Sequence, residues 1–511
     1  MSHPAQISLA PRRRWATFGV LAATAALTIL DVSKVGVALP AIQESTGGSG
    51  STIQIMLVGY TIAYAAFLLP AGRIGDVLPR SAVFLVGGLA FVGASVVCAL
   101  APDISWLVAG RIAQGAGAGI LMPQVLGLIQ RLFPAEERTR PLATLAAILS
   151  ATSLFGPVLA GVVMQLVGTA ESWRALFWIN VVVGAVVLPL AVILVRDPGG
   201  ERRSGFDGVG VALLVPAVVL TIAPLSAVSA DSPLSLWTVG FVAIGVGLAT
   251  LFVLHIRRRA ASGRQALVDP RLFRSAHLAP GVVVSGLLHA AGTAGTLIIT
   301  IGLQQLAGLT PLETALWMLP AALAALAGSW IAARLPFDAG YRAIVRGAGL
   351  GSLGLTLVAI AFGLAPTAAL PLAVCAVLMV NTFGAAVAAP ANQARVLIDV
   401  PDYRSSVAGS MIQFAQRVGS AIGMAIALML YYGLGDTETP AGRPTLGATL
   451  AVLVTGAFLL AAALIARADR PRLSRTPGST APHPAMPVGA AVDPPEDAPR
   501  PALPSPSPSR R

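Results

Sequence analysis

The segment from residue 15 to residue 40 reads WATFGVLAATAALTILDVSKVGVALP. It is longer than the ~20 apolar residues that a helix needs to cross a bilayer, yet it holds Asp31 and Lys34 well inside it. Apolar runs of similar length recur along most of the chain. Because a backbone in lipid has no water to bond, such runs form helices that satisfy their own hydrogen bonds. The segment therefore predicts the first helix of a polytopic membrane protein.

Composition extends this prediction to the whole chain. Of the 511 residues, 56% are hydrophobic and 11% are charged, whereas soluble domains carry about 25% charged residues. Fourteen apolar runs can be placed, at about 15–40, 52–72, 81–101, 104–130, 141–168, 173–195, 206–228, 234–256, 278–303, 312–333, 343–365, 367–392, 405–432 and 445–467. The predicted fold class is an all-α polytopic membrane protein with 14 transmembrane helices.

The placement of the basic residues predicts the orientation of these helices. Arginines cluster in every second loop, beginning with Arg12, Arg13 and Arg14, while the opposite loops hold only Arg174 and Arg443. Since basic loops stay in the cytoplasm, both termini are expected there. The net charge of +12 is spread over these loops and forms no continuous basic face, so no nucleic-acid partner is expected. The excess of arginine, alanine and glycine over lysine hints at a GC-rich bacterial genome, so the expected location is the bacterial cytoplasmic (inner) membrane.

Three charged side chains lie deep within the predicted spans of the first half. Asp31 and Lys34 are three residues apart, share a helix face, and each costs about 2.5–3.5 kcal/mol at a bilayer centre. They either form a purely structural pair or line a polar cavity. Arg111, in span 4, stays charged in any protein setting and has Asp31 as its natural partner. We predict that Asp31 and Lys34 take part in proton coupling.

A second set of polar residues forms a possible substrate cavity. Each has a structural alternative, since a lone histidine or asparagine in a span often only packs or joins two helices. Arg417, in span 13, has no obvious carboxylate partner in the sequence, although an anionic substrate group, carbonyls or water would serve. The candidates are Gln114, Asn180, His289, Asn381 and Arg417.

Several other function classes find no support. A nucleotide-binding P-loop needs a lysine after a glycine-rich turn, and Lys34 is the only lysine in the chain. The five histidines are scattered, and Cys98 and Cys375 lie singly in apolar runs. No metal-ligand spacing appears. We expect no enzyme, no metal and no cofactor.

The loop after the second span resembles a known signature. Residues 72–80 read GRIGDVLPR, similar to the motif between the second and third helices of the major facilitator superfamily. The resemblance implies a cytoplasmic gating motif built on Gly72, Asp76 and Arg80. Pro79 stands where that motif usually has glycine.

Span 4 is likewise similar to the family's arginine-containing motif through Arg111, Gln114, Gly115 and Gly117, which implies that Arg111 takes part in proton coupling.

The fifth span carries a second resemblance. Residues 156–161 read GPVLAG, similar to the motif associated with antiporters and assigned here to Gly156, Pro157 and Gly161. Thr152 replaces its first glycine. Pro157 lacks a backbone donor, so it is expected to kink or loosen the helix.

Further stretches resemble the fourteen-span drug:proton antiporter family, which contains multidrug and secondary-metabolite exporters. These are LD at 30–31 with VALP at 37–40, WRALFWIN at 173–180, and DPRLFR at 269–274. The resemblance implies the major facilitator fold, with two six-helix bundles and two extra helices. The implied organisation is 1–14 cytoplasmic N-terminus, 15–195 N-terminal bundle, 206–256 two linker helices, 257–277 cytoplasmic loop, 278–467 C-terminal bundle and 468–511 disordered Pro-rich cytoplasmic tail.

The expected function is export of a small organic molecule (drug, antibiotic or metabolite) in exchange for protons, by alternating access. The expected partners are that substrate, protons and the lipid bilayer, and the chain is expected to be monomeric. Uptake by symport or facilitated diffusion, and a transport-inactive sensor, stay open as alternatives. Lys34 beside the one deep carboxylate disfavours a polyvalent cation, so a neutral, zwitterionic or anionic substrate is favoured.

Overall fold

The computed structural model describes residues 10–134, 137, 139–195, 207–226, 235–264, 266–268, 270, 277–332, 334, 340–364, 367–397, 405–433 and 445–469. Within these ranges the chain forms α-helices, a short 3-10 helix at Thr367–Ala369 and turns, with no β-strand. The helices are α1 Pro11–Thr46, α2 Gly50–Val77, α3 Arg80–Leu100, α4 Ile104–Leu132, α5 Thr139–Val167, α6 Trp173–Leu194, α7 Gly208–Ser226, α8 Leu236–Ala261, α9 Leu278–Leu306, α10 Pro311–Ala332, α11 Gly340–Leu364, α12 Leu370–Leu397, α13 Ser405–Gly433 and α14 Thr445–Ala468.

Each predicted run coincides with one of these helices, which confirms the all-α fold. Thirteen described helices are each long and apolar enough to cross a membrane, and α5 makes a fourteenth span if its two bent pieces count as one. The pieces, Arg140–Ser153 and Phe155–Val167, meet at 40°. Pro157 explains the position of the bend, because its missing N–H leaves the carbonyl four residues earlier, at Ser153, without a helical partner. The expected kink in this span is confirmed.

The first helix is longer than its apolar run. It has 36 residues and starts with a proline at its first turn, a position where the absent N–H costs no hydrogen bond. Arg12, Arg13 and Arg14, expected in a loop, therefore extend the helix beyond the apolar run. Hydropathy locates the part of a helix that lies in lipid, whereas the helix itself continues until a residue breaks it. Here Gly47 does so, with a left-handed φ of 64° that favours glycine.

The helices form two six-helix bundles, α1–α6 and α9–α14, with α7 and α8 as an additional pair. Within the first bundle, α4 packs against both α2 and α3, and α1 packs against α5 and α6. Within the second, α11 packs against α12 and α14, and α9 packs against α13. The bundles meet where α2 contacts α13, α5 contacts α10 and α1 contacts α9, and α7 contacts both α2 and α13.

Glycines on α4 set how closely the first bundle packs. A Cβ added at Gly117 would lie 2.6 Å from the backbone nitrogen of Phe91 on α3, and one at Gly119 would lie 2.5 Å from the carbonyl oxygen of Tyr64 on α2. Only a hydrogen in place of Cβ allows such contact between helix backbones. This close approach brings side chains of α2 and α3 within reach of the polar side chains of α4.

Several predicted segments fall outside the described residues. They include 1–9, residues 269 and 271–274 of the DPRLFR stretch, and the tail from 470 onward. The expectations of a disordered tail and of the domain boundaries given above therefore stay predictions.

Candidate functional site

Asp31 is the centre of a buried charge network in the first bundle. One carboxylate oxygen, Oδ2, is paired with Nη1 of Arg111 from α4, and Oδ1 lies 3.4 Å from Nζ of Lys34. The side chains of Asp31 and Lys34 are 0% exposed, and that of Arg111 is 2% exposed. The structure therefore brings together all three residues predicted for proton coupling. Asp31 thus pairs with two cations, Lys34 and Arg111, and not with Lys34 alone.

Two amide side chains close the network. Asn180 of α6 donates from Nδ2 to Oδ1 of Asp31 at 2.7 Å and accepts from Nζ of Lys34 at 2.5 Å. Gln114 of α4 accepts from Nη1 of Arg111 at 2.5 Å and donates to Oδ1 of Asp31 at 3.2 Å. Both amides are fully buried. Each amide accepts a hydrogen bond from a cation and donates one to the carboxylate. The two amides therefore fix the relative positions of α1, α4 and α6.

Ser95 of α3 is a member that the sequence did not reveal. Its Oγ accepts from Nε2 of Gln114 at 2.8 Å and from Nδ2 of Asn180 at 3.3 Å. The same Oγ donates a hydrogen bond to the carbonyl oxygen of Phe91 at 2.8 Å. A lone serine in an apolar span carries no sequence signal for this role.

The charges within the network do not balance. One carboxylate faces two cations, and burial in a low-dielectric region makes any loss of pairing expensive. When Asp31 binds a proton, the attraction that holds both cations disappears. The arrangement can therefore exist in two states that differ by one proton on α1.

A pair of tyrosines on α2 extends from this network toward the second bundle. The guanidinium carbon of Arg111 lies 4.2 Å from the ring centroid of Tyr60, and that of Arg417 lies 4.3 Å from the ring centroid of Tyr64. The two rings meet edge to face at 6.2 Å. This aromatic pair, also absent from the sequence predictions, connects the arginine of α4 with the arginine of α13.

Two other predicted cavity residues, His289 and Asn381, make hydrogen bonds inside the second bundle, and His289 lies within reach of the charge of Arg417. His289 of α9 contacts the carbonyl oxygen of Ser285 through Nδ1 at 3.1 Å, within its own helix. Asn381 of α12 donates to the carbonyl oxygen of Gly351 on α11 at 2.9 Å. Both contacts are internal to the second bundle and match the structural alternative for each residue.

The gating motif after α2 is described in part. Gly72 lies near Pro123 of α4, and Arg80 fills the space beside Gly127 of the same helix. The side chain of Asp76 lies outside the described residues, so its pairing with Arg80 stays a prediction.

Arg73, within the same motif, has a defined role in the structure. Its Nη2 and Nε donate to the carbonyl oxygens of Ala266 and Leu267 at 2.7 and 3.1 Å. Ala266, Leu267 and Val268 are buried. This three-residue piece of the loop after α8, which we call the strap, is thus fixed to the end of α2.

Asp207, just before α7, holds the strap from its other side. It accepts hydrogen bonds from the backbone N–H of Leu267 at 3.0 Å, from that of Gly210 at 3.0 Å and from Nε2 of His255 at 2.9 Å. Burial raises the pKa of Asp207, yet the bonds from His255 and the two backbone groups, with the charge of Arg259, outweigh it. The pKa of Asp207 therefore lies below its ordinary range.

The antiporter motif on α5 faces both bundles. Gly156 contacts Ser33, between Asp31 and Lys34, so that α5 closes over the network. A Cβ added at Gly161 would lie 2.7 Å from the Cα of Leu312 on α10. One glycine thus contacts the charged helix α1, and the other lets α5 meet the opposite bundle.

Hydrogen bonds join the bundles at the ends of α1, α9 and α13 that lie away from the arginine-rich loops. Gln304 donates from Nε2 to the carbonyl oxygen of Val37 at 3.2 Å, and Tyr432 donates to Oε1 of Gln43 at 3.4 Å. By the arginine pattern this is the expected outer side. The molecule is closed at that end in this structure.

Among the described residues, no group of three or more His, Cys, Asp or Glu is placed to hold a metal.

Comparison with known proteins identifies related chains. The sequence profile of the Major Facilitator Superfamily matches residues 21–424. The "Probable actinorhodin transporter" of Streptomyces coelicolor is 29% identical over 431 residues, which cover 84% of this chain and 74% of that protein. The "Methylenomycin A resistance protein" of the same organism is 29% identical over 453 residues, which cover 87% and 91%. A crystal structure of the peptide transporter POT in complex with sulfate shares the fold, with a TM-score of 0.64 at 17% identity over 92% of this chain and 97% of that chain.

Proposed function

Since the chain belongs to the Major Facilitator Superfamily, we propose that this multi-pass transporter exports a small organic molecule in exchange for protons. Its family members are transporters and not enzymes. The similar proteins from Streptomyces are named for an antibiotic that they transport or resist, which favours a drug, an antibiotic or a related metabolite as the cargo. We further propose that the chain works as a monomer in the bacterial cytoplasmic membrane, with both termini inside.

The observation that carries the proposal is the buried pairing of Asp31 with Arg111 and Lys34. Charges in a membrane interior are costly and mark ion or proton pathways when they face one another. A purely structural pair would need one cation, and this site has two. Asp31 is therefore the group that exchanges a proton with the outside.

Alternating access follows from the two states of this network. With Asp31 ionised, α1, α4 and α6 are held together by the carboxylate and the two amides. With Asp31 protonated, two buried cations face each other without an anion, and the helices must rearrange to separate or hydrate them. Helix α5 contacts α1 at Gly156 and α10 at Gly161, so it can transmit the rearrangement to the other bundle.

Inverted membrane vesicles test this proposal. Respiration acidifies the vesicle interior, and a pH-sensitive dye reports the gradient. Addition of antibiotics and dyes from a panel of cationic, neutral and anionic compounds should, for a transported one, release protons and restore dye fluorescence. Asp31→Asn should abolish this response while the protein still inserts. A variant that exchanges protons normally would overturn the assignment.

Asp103→Asn is the matched control. Asp103 caps α4, and its Oδ1 accepts from the backbone N–H of Ser105 and Trp106 at 2.8 and 3.1 Å. Asparagine keeps that oxygen and caps helices equally well. The same loss of charge outside the network should leave proton exchange unchanged.

A further inference from the structure

Arg417 is the charged group in the interior of the second bundle that the proton network does not use. It lies midway along α13, is half-buried, and its guanidinium stacks on Tyr64 of the first bundle at 4.3 Å. Within the described part of the chain, its guanidinium makes no ion pair and no hydrogen bond. The group therefore lies at the junction of the two bundles with its N–H donors unoccupied.

Stacking alone accounts poorly for a half-buried arginine at this position. A cation–π contact contributes about 0.5–2 kcal/mol, while arginine cannot lose its charge. Stacking uses the face of the guanidinium and leaves the edges, which carry the N–H donors, free. That planar fork matches a carboxylate, which it binds through two parallel hydrogen bonds.

No carboxylate of the described chain is placed to fill this fork. Asp31 is the one described acidic residue deep inside a helix, and its oxygens are occupied by Arg111, Lys34, Gln114 and Asn180. The other described acidic residues lie at helix ends or in loops. The interior of the molecule thus has an excess of positive charge on both sides of the tyrosine pair.

From this geometry we propose that Arg417 is the anion-binding group of the substrate site. The exported molecule carries a carboxylate or a similarly delocalised organic anion, which binds the guanidinium edge while Tyr64 supports its face. This inference rests on the proposed function and names the class of its substrate. The aromatic pair Tyr60–Tyr64 places the anion site next to the proton network without sharing a side chain with it.

The first test measures binding of matched aromatic probes to the purified full-length protein. The probes are 1-naphthoate, its neutral amide 1-naphthamide and the cation 1-naphthylmethylammonium, studied by equilibrium dialysis. The wild type should bind the carboxylate about tenfold more tightly than the amide, the ratio that one charged hydrogen bond gives. Arg417→Gln should abolish this preference, and Arg417→Lys should keep part of it. Equal binding of the carboxylate and the amide by the wild type, or a preference that persists in Arg417→Gln, would overturn the proposal.

Arg334→Gln provides the matched control. Arg334 also stacks on an aromatic ring, that of Trp330 at 3.4 Å, but it is exposed and lies beyond the end of α10. Arg334→Gln should leave the preference for the carboxylate over the amide unchanged. Loss of the preference in this variant as well would mean that surface charge, and not the site, attracts the anion.

The second test needs no substrate. Gln413 lies one helical turn before Arg417 and is half-buried, so the two share a helix face. In a background with Cys98→Ala and Cys375→Ala, Gln413→Cys is treated with an anionic and a cationic methanethiosulfonate reagent. Removing the charge of Arg417 should lower the anionic-to-cationic rate ratio about tenfold, since the two probes respond in opposite directions to a local charge. An unchanged ratio contradicts an anion-attracting site.

These tests separate the inference from the proposed function. Suppose that a neutral compound drives proton exchange that depends on Asp31, while the wild type binds the carboxylate no more tightly than the amide. In that case the transport proposal stands and the anion site is wrong. If anions bind through Arg417 without any proton movement, the site stands and the exchange mechanism is wrong.

Discussion

In the first bundle, three charged side chains from α1 and α4 are closed into one hydrogen-bonded network, whereas in the second bundle Arg417 faces an aromatic ring across the junction. The network is fully buried and its donors and acceptors are largely matched by Gln114, Asn180 and Ser95. The hydrogen bonds of Asn381 and His289 in the second bundle go to backbone carbonyl oxygens between or within helices.

The difference suggests a division of tasks. A closed network with one carboxylate responds to a proton, because protonation removes the negative charge that holds its two cations together. An arginine with free donors responds to an anion arriving from outside the protein. Helix α2, with Tyr60 and Tyr64 between the two arginines, is the element that both sites touch.

The largest effect is expected from Asp31→Asn on stability. The amide nitrogen of asparagine must face either Arg111 or the donors of Asn180 and Gln114, so no orientation restores the network. Removing one partner of a buried ion pair costs about 3–5 kcal/mol, and thermal unfolding of the purified protein should show a loss of this order. Lys34→Met added to Asp31→Asn should recover part of it, because one unpaired cation is removed. If the double variant loses more stability than the two single variants lose together, the result contradicts the network.

Two glycines on α5 test whether the halves are joined through this helix. Gly161→Ala places a methyl group against the backbone of Leu312 and should destabilise the closed outer end by about 1–3 kcal/mol, the usual cost of overpacking. Spin labels at Leu166 on α5 and Leu316 on α10, both exposed, should report a longer distance in this variant.

Gly156, on the same helix as Gly161, is expected to behave differently. Gly156→Ala crowds Ser33 beside the network and should impair proton exchange more than it changes the distance between spin labels. Gly247→Ala on α8, where a Cβ meets nothing within 4 Å, should change neither. If Gly156→Ala and Gly161→Ala change the spin-label distance equally, the two glycines of α5 do not have separate roles in proton exchange and in contact between the bundles.

How much of this site the sequence predicts depends on the kind of signal. Asp31, Lys34 and Arg111 are recognisable because a charge in an apolar run is expensive wherever the helix is rotated. Their association follows because no other deep carboxylate is present. The motif glycines on α5 are likewise predicted by resemblance, and the structure adds which neighbour each one contacts.

The remaining members depend on geometry that a sequence pattern does not encode. Ser95 and Tyr60 join the site because glycines on α4 bring α2 and α3 close, and serine or tyrosine in an apolar run is common without any such role. The strap is missed for another reason. Its residues Ala266, Leu267 and Val268 read as an ordinary loop, and only the chain's return to the end of α2 buries them.

A smaller effect is expected at the tyrosine that joins the halves. Tyr64→Leu removes the ring under Arg417 and should cost about 0.5–2 kcal/mol, the range for a cation–π contact. Tyr64→Phe keeps the ring face and should be close to the wild type in the same unfolding measurement. If Tyr64→Phe is as damaging as Tyr64→Leu, then the hydroxyl and not the ring face supports Arg417.

The smallest effect concerns the strap, which lies on the arginine-rich side of the first bundle and outside both sites. In Asp207→Asn, one oxygen becomes a donor, and it faces either the N–H of Leu267 or that of Gly210. Amide exchange of the strap, followed by mass spectrometry, should therefore be several-fold faster than in the wild type at pH 7, because about 1 kcal/mol of hydrogen bonding is lost. Asp103→Asn, which keeps its single accepting oxygen, serves as the control.

The pH dependence of this contact has a definite sign. Because the pKa of Asp207 is lowered by its partners in the folded state, its contribution to stability is present above the unfolded pKa and is lost as the pH falls through the folded one. The difference in strap exchange between wild type and Asp207→Asn should thus be constant from pH 7 down to about pH 5 and vanish well below pH 4. Exchange rates must be corrected for their intrinsic pH dependence. A difference that grows on acidification would mean that the carboxylate destabilises the strap, and that Arg73 alone fixes the strap to α2.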